Sequence, residues 1–151
     1  MAFYDPNAED QMAARAYLVT AEQFSDIAAQ EMYREPGKNI DLAKVLSTGR
    51  AVMGPGRYET LVCPGYLDGH PVLTFTAPWS MGDVEWNAPD ARYLRHLGSG
   101  LKEAHGWPSE RIGKYLATRP GAAGHWTAES VADLLHGGVS GGQTGGQTEQ
   151  P

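Results

Sequence analysis

The spacing of apolar and polar positions changes period several times along the chain, and each change marks an element. Thr20 can cap a helix with its hydroxyl while Gln23, three residues on, reaches back to the N–H of the cap, so a helix start is marked there. Phe24, Ile27 and Ala28 then recur at helical spacing, and Glu31 falls on that same line one turn further. The spacing predicts a carboxylate facing the core, with Glu22, Asp26 and Glu35 off the line as solvated charges.

Before this helix, Ala2-Phe3-Tyr4, stopped by Asp5-Pro6-Asn7, reads as one strand and Ala16-Tyr17-Leu18-Val19 as a second that feeds the helix. The stretch from Ile40 to Ala51 is ambiguous: Asp41 to Leu46 suits one or two helical turns, and Gly54-Pro55-Gly56 then breaks the chain. Tyr58 to Cys63 and Val72 to Ala77 alternate and are rich in β-branched and aromatic residues, with Asp68-Gly69 between them as a hairpin turn. Pro64-Gly65 predicts a bulge or an early end of pairing. Pro78 to Asn87 is a loop whose Trp79 and Trp86 either cover one end of the core or wall a ligand. Pro89 opens a helix whose apolar face is Tyr93, Leu94, Leu97, Leu101 and Ala104, ending at Gly106. Gly98 and Gly100 within it predict close approach of another backbone. Ser109 to Leu116 predicts a shorter helix, and Thr127 caps a last one running to Leu135.

At 151 residues the chain suits one domain, 1–136, followed by a Gly/Gln/Thr-rich tail, 137–151, that has almost nothing apolar to bury. The net charge of −6 comes with basic residues scattered singly, so nucleic acid and anionic membrane surfaces are not expected partners. There is no apolar run of membrane-spanning length, and the N-terminus lacks the basic and apolar regions of a secretory signal, so the expected location is cytoplasmic. Cys63 is the sole cysteine, which excludes an internal disulfide; it is expected to be buried and inert.

Chemistry is sparse. A carboxylate on a core-facing stripe loses hydration, which moves its pKa toward the range useful for proton transfer and makes Glu31 a candidate acid–base group. The alternative is that Glu31 turns outward in the last helical turn or is satisfied by an arginine such as Arg34. The five histidines show no i, i+4 pair and no cysteine partner, so no metal is expected. Nucleophile-elbow, Walker and dinucleotide signatures are absent, and no cofactor is expected.

The order of the pieces resembles the γ-glutamylcyclotransferase-like family, in particular its actinobacterial branch, which often carries a histone-deacetylase label. The matching stretches are Ala16-Tyr17-Leu18-Val19-Thr20 into Phe24 and Ala29-Gln30-Glu31, then Gly56-Arg57-Tyr58-Glu59-Thr60-Leu61-Val62, then Asp68-Gly69. The last is Pro89-Asp90-Ala91-Arg92-Tyr93-Leu94 running to Gly100-Leu101 and His105-Gly106. The resemblance implies an α+β fold with a small mixed, barrel-like sheet flanked by helices. It implies that Glu31 is the acid–base residue, that Tyr58 and Tyr93 line the pocket, and that a γ-glutamyl amine or amide is cyclised to 5-oxoproline. The family's opening strand, ending in Tyr-Gly-Ser-Asn or a close variant, has no counterpart here. Without that strand a neighbouring edge would be exposed, which offers a route to a homodimer. The rival readings are a non-catalytic remnant or small-molecule binding module of the same fold and, more weakly, a deacetylase-type amide hydrolase.

Overall fold

Thr20 caps the first helix as its sequence requires: its hydroxyl accepts from the Gln23 N–H at 3.2 Å, and the Gln23 side chain accepts from the Thr20 N–H at 2.9 Å. The computed structural model describes residues 3–136. The tail 137–151 and Ala2 of the first expected strand lie outside the described residues. The chain divides into two units, one ending at Glu85 and one beginning at Trp86. Both helices and strands are present, so the fold is α+β.

The first unit carries α1 (Ala21–Glu31), α2 (Ala43–Thr48) and three strands, β1 (Arg50–Val52), β2 (Thr60–Leu67) and β3 (His70–Thr76). The strands form an open antiparallel sheet in the order β1-β2-β3, where a mixed, barrel-like sheet was expected. Asp68 and Gly69 both take positive φ, 50° and 81°, the twist that a two-residue turn must supply between strands. Pairing slips between Val62 and Gly65, so Pro64-Gly65 is a bulge within a continuing hairpin. Ala51, Leu61 and Phe75 are opposite one another across the three strands, and they pack with Phe24 and Ala28 of α1, Met32 at its C-cap and Val45 of α2.

Two expected strands are not strands. Tyr4 is tied to the sheet through a side chain: the Thr76 hydroxyl accepts from the Tyr4 N–H at 2.8 Å and donates to the Tyr4 carbonyl at 2.6 Å. One threonine thus takes both backbone groups that a ladder would have paired. Ala16–Val19 has the composition of a strand but no place in the sheet β1-β2-β3, and Tyr17 and Leu18 are exposed. A strand needs a partner for its N–H and C=O groups, and alternation alone does not provide one. Conversely β1 was not foreseen; it becomes a strand because Gly49, at φ 76°, ends α2 and turns Arg50–Val52 onto β2.

The second unit is three helices, α3 (Ala91–His105), α4 (Ser109–Ala117) and α5 (Ala128–His136). Asp90 rather than Pro89 starts α3, its carboxylate accepting from the Tyr93 N–H at 2.7 Å, and Gly106 at φ 62° ends it. Thr127 and Ser130 cap α5 reciprocally. Leu94, Ile112, Leu116 and Val131 form the core, with Trp107 and Trp126 packed on it. The two loop tryptophans fall in different units: Trp79 meets Phe3 edge-on, and Trp86 is near Gly121. No helix among the described residues is long and apolar enough to cross a membrane.

Candidate functional site

The side chains that bear on chemistry gather where α1 ends. The buried residues of α1 are Phe24, Ser25, Ala28 and Ala29, followed by Met32 at its cap. That arc is centred roughly 90° round the helix from Glu31, given about 3.6 residues per turn. Glu31 is therefore exposed on the flank of the helix, and the inward carboxylate expected from the Phe24–Ile27–Ala28 line is corrected; Ile27 is exposed as well. The stripe Phe24, Ala28, Met32 at successive fours was the signal in the sequence that would have shown this.

Helix α1 closes with a Schellman pattern. The Arg34 N–H reaches the Ala29 carbonyl at 2.8 Å and the Tyr33 N–H reaches the Gln30 carbonyl at 3.1 Å. Glycine usually occupies the left-handed position of this motif, but here Tyr33 does, at φ 56°, with its side chain almost wholly exposed. A left-handed non-glycine residue costs roughly 1–2 kcal/mol. Tyr33→Gly is expected to stabilise the chain by about 1 kcal/mol, read as a raised unfolding midpoint in urea; an unchanged or lowered midpoint would show that the tyrosine side chain repays its own strain.

Opposite α1 stands a turn of four residues, 56–59, closed by the Glu59 N–H on the Gly56 carbonyl at 3.2 Å. Glu59 is its anchor. One carboxylate oxygen accepts from the Gly56 N–H at 2.7 Å, and the other binds the guanidinium of Arg34. The Gly56 N–H and then Arg34 hold the Glu59 carboxyl below the usual range. A Cβ at Gly56 would lie 2.6 Å from that carboxylate, so any larger residue would push the Glu59 side chain from its place.

Because the folded pKa of Glu59 lies below its unfolded value, its contribution is complete above the ordinary glutamate range and is lost as pH falls through the folded value. Glu22 and Asp83 are also held low, Glu22 by a backbone N–H and the Thr20 hydroxyl, Asp83 by the backbone N–H and hydroxyl of Ser80. Stability is therefore expected to decline on acidification below about pH 4.5. Glu59→Gln should shallow that decline without abolishing it, as measured by urea unfolding from pH 3 to pH 7.

Between the end of α1 and this turn lies a cleft of about 310 Å³ lined by Glu31, Met32, Tyr33, Gly56, Arg57, Tyr58 and Glu59. Tyr58 is half-buried, its ring edge-on to Phe75 at 6.0 Å between centroids. Burial, and next the negative charge of Glu31, push the Tyr58 phenol above its ordinary pKa, so at neutral pH it is a protonated donor. Glu31 and Tyr58, two of the three residues singled out from the sequence, thus share one cleft. Tyr93 is the third residue of α3 in the second unit, whereas the residues that line this cleft all belong to the first. Arg57 and Tyr33 were not singled out; nothing in spacing marks a turn residue as a pocket wall. Arg34, one alternative partner that the sequence offered for Glu31, is engaged by Glu59 instead.

A hollow of about 360 Å³ lies between α4 and α5, lined by Glu110, Lys114, Ala128, Glu129, Ala132, Asp133 and His136. Its charged residues are all exposed, and Glu110 with Lys114 and Glu129 with Asp133 are i, i+4 neighbours on helix surfaces. They are solvated faces, and the aromatic and charged walls of the first unit's cleft carry more recognition chemistry despite its smaller volume. Among the described residues no group of three His, Cys, Asp or Glu side chains is placed to hold a metal ion. Cys63 is half-buried, and its thiol donates to the Gly65 carbonyl at 3.5 Å. No family model matches the chain, and neither a curated protein nor a solved structure matches it.

Proposed function

We propose that the chain has a γ-glutamylcyclotransferase-like fold and activity, acting in the cytoplasm on a small γ-glutamyl amine or amide, with Glu31 as the base and then the acid. One observation supports this reading above the others: Glu31 and Tyr58, which the resemblance assigns to a single pocket, come from different elements and meet on the walls of one cleft. In the reaction the neutral α-amine of the γ-glutamyl group attacks its own γ-carbonyl and a C–N bond forms. Glu31 takes the proton that the attacking nitrogen loses and returns it to the leaving nitrogen as the original amide C–N bond breaks. Substrate becomes 5-oxoproline and a free amine, and no other reactant is consumed. The nucleophile is tethered, so folding the substrate does much of the work and one carboxylate suffices. The Tyr58 phenol, protonated at neutral pH, is a donor for the carbonyl oxygen as negative charge develops there.

The exposure of Glu31 favours a second reading, a small-molecule binding module, because an accessible carboxylate on the cleft wall can pair with a ligand ammonium without any proton being transferred. Incubation of the protein with γ-glutamyl amides, followed by mass spectrometry for 5-oxoproline, separates the two. Release of 5-oxoproline supports the enzyme, binding without release supports the module, and neither binding nor release overturns both.

A further inference from the structure

The cleft holds two opposite charges that do not neutralise each other. Glu31 and Arg57 both line it, yet neither makes a hydrogen bond or ion pair with any described residue. The other nearby charges are already matched, since Arg34 and Glu59 bind each other. Arg57 is also well placed to act from a fixed backbone. It is a central residue of the turn closed by Gly56 and Glu59; the Gly56 N–H before it is held by the Glu59 carboxylate, and Tyr58 after it packs on Phe75. Its guanidinium is exposed, and its charge is felt at the Tyr58 hydroxyl, as is that of Glu31. A carboxylate, a guanidinium and a phenolic donor lining one cleft are complementary to a ligand bearing an ammonium and a carboxylate on one carbon.

We propose that Arg57 determines specificity in this cleft by gripping the α-carboxylate of an α-amino-acid ligand whose α-nitrogen lies at Glu31. This rests on the reading of the cleft as a γ-glutamyl site and deepens it. The planar guanidinium matches a carboxylate with two parallel N–H donors, which an ammonium does not. Holding the carboxylate at Arg57 also orients the neighbouring α-nitrogen, the atom that must lose a proton, toward Glu31.

The test compares an N-substituted γ-glutamyl amide with the 4-aminobutanamide counterpart that lacks the α-carboxylate, each titrated into the full chain by NMR, with KM and kcat measured where turnover occurs. The wild-type chain should prefer the carboxylate-bearing ligand by on the order of 10- to 100-fold, the worth of a charged hydrogen bond. Arg57→Gln should abolish the preference while leaving affinity for the decarboxylated ligand and the unfolding midpoint unchanged, and Arg57→Lys should restore part of it. The preference should also weaken with added salt. A preference that persists in Arg57→Gln, or a wild-type chain that binds neither ligand or both equally, overturns the proposal. Discrimination lost in Arg57→Gln with no 5-oxoproline formed would retain Arg57 and overturn the cyclisation; 5-oxoproline formed with discrimination intact in Arg57→Gln would do the reverse.

Discussion

Glu31→Gln is expected to lower 5-oxoproline turnover by roughly two to four orders of magnitude, the usual contribution of a positioned acid–base group. The residual rate would come from the tethered nucleophile, which the substitution leaves in place. Glu31 is exposed and has no partner to lose among the described residues, so stability should change by less than about 0.5 kcal/mol. Loss of rate is then separable from loss of fold. A second readout needs no activity at all. The negative charge of Glu31 is one cause of the raised Tyr58 pKa, so in Glu31→Gln the phenol should titrate lower than in the wild type, though still above its ordinary value because burial, the larger cause, remains. Ring-labelled tyrosine NMR over pH 8 to pH 12 would follow it. Unchanged turnover together with an unchanged Tyr58 titration would remove Glu31 from the site.

The largest stability effect is expected at Gly113, in the middle of α4. Helix propensity alone says that alanine should be better there by about 1 kcal/mol. Packing reverses the sign, because a Cβ on Gly113 would run into the carbonyl oxygen of Ala128 and lie 3.2 Å from the Ala132 nitrogen, both backbone atoms of α5. Backbone cannot rotate away as a side-chain tip can, so Gly113→Ala should destabilise by about 1–3 kcal/mol, the cost of overpacking. Gly100 is the internal control. It lies in α3 with nothing within 4 Å of its would-be Cβ, and Gly100→Ala should stabilise by about 0.5–1 kcal/mol. Urea unfolding of both variants checks the pair; stabilisation of both would show that the α4–α5 contact is looser than this geometry, and destabilisation of both would show that Gly100 is not free of its surroundings. Gly98 lies between them: its Cβ would meet Leu135 at 2.6 Å, the end of a side chain that can shift.

What the sequence determined by itself is what neighbours in sequence can enforce. The Thr20–Gln23 cap, the Asp68-Gly69 turn, the bulge at Pro64-Gly65 and the glycine stop at Gly106 all rest on backbone dihedrals and hydrogen bonds within a few residues, and all are present. The apolar periods of α3, α4 and α5 placed those helices to within one or two residues for the same reason. Tertiary structure decided whatever depends on a distant partner. Ala16–Val19 has strand composition without a strand to pair with, while Arg50–Val52, unremarkable in sequence, becomes one because β2 lies beside it. The stripe through Glu31 was short enough to be drawn two ways, and the packing of Ala28 and Met32 against Leu61 and Val45 fixed the rotation that turns Glu31 outward. Arg34 was open to either carboxylate until the fold of the 56–59 turn brought Glu59 to it, which left Glu31 and Arg57 unpaired across the cleft. Local rules set dihedrals, but which face of a helix is buried and which charges remain free are properties of the assembled core, because burial and pairing need atoms from elsewhere in the chain.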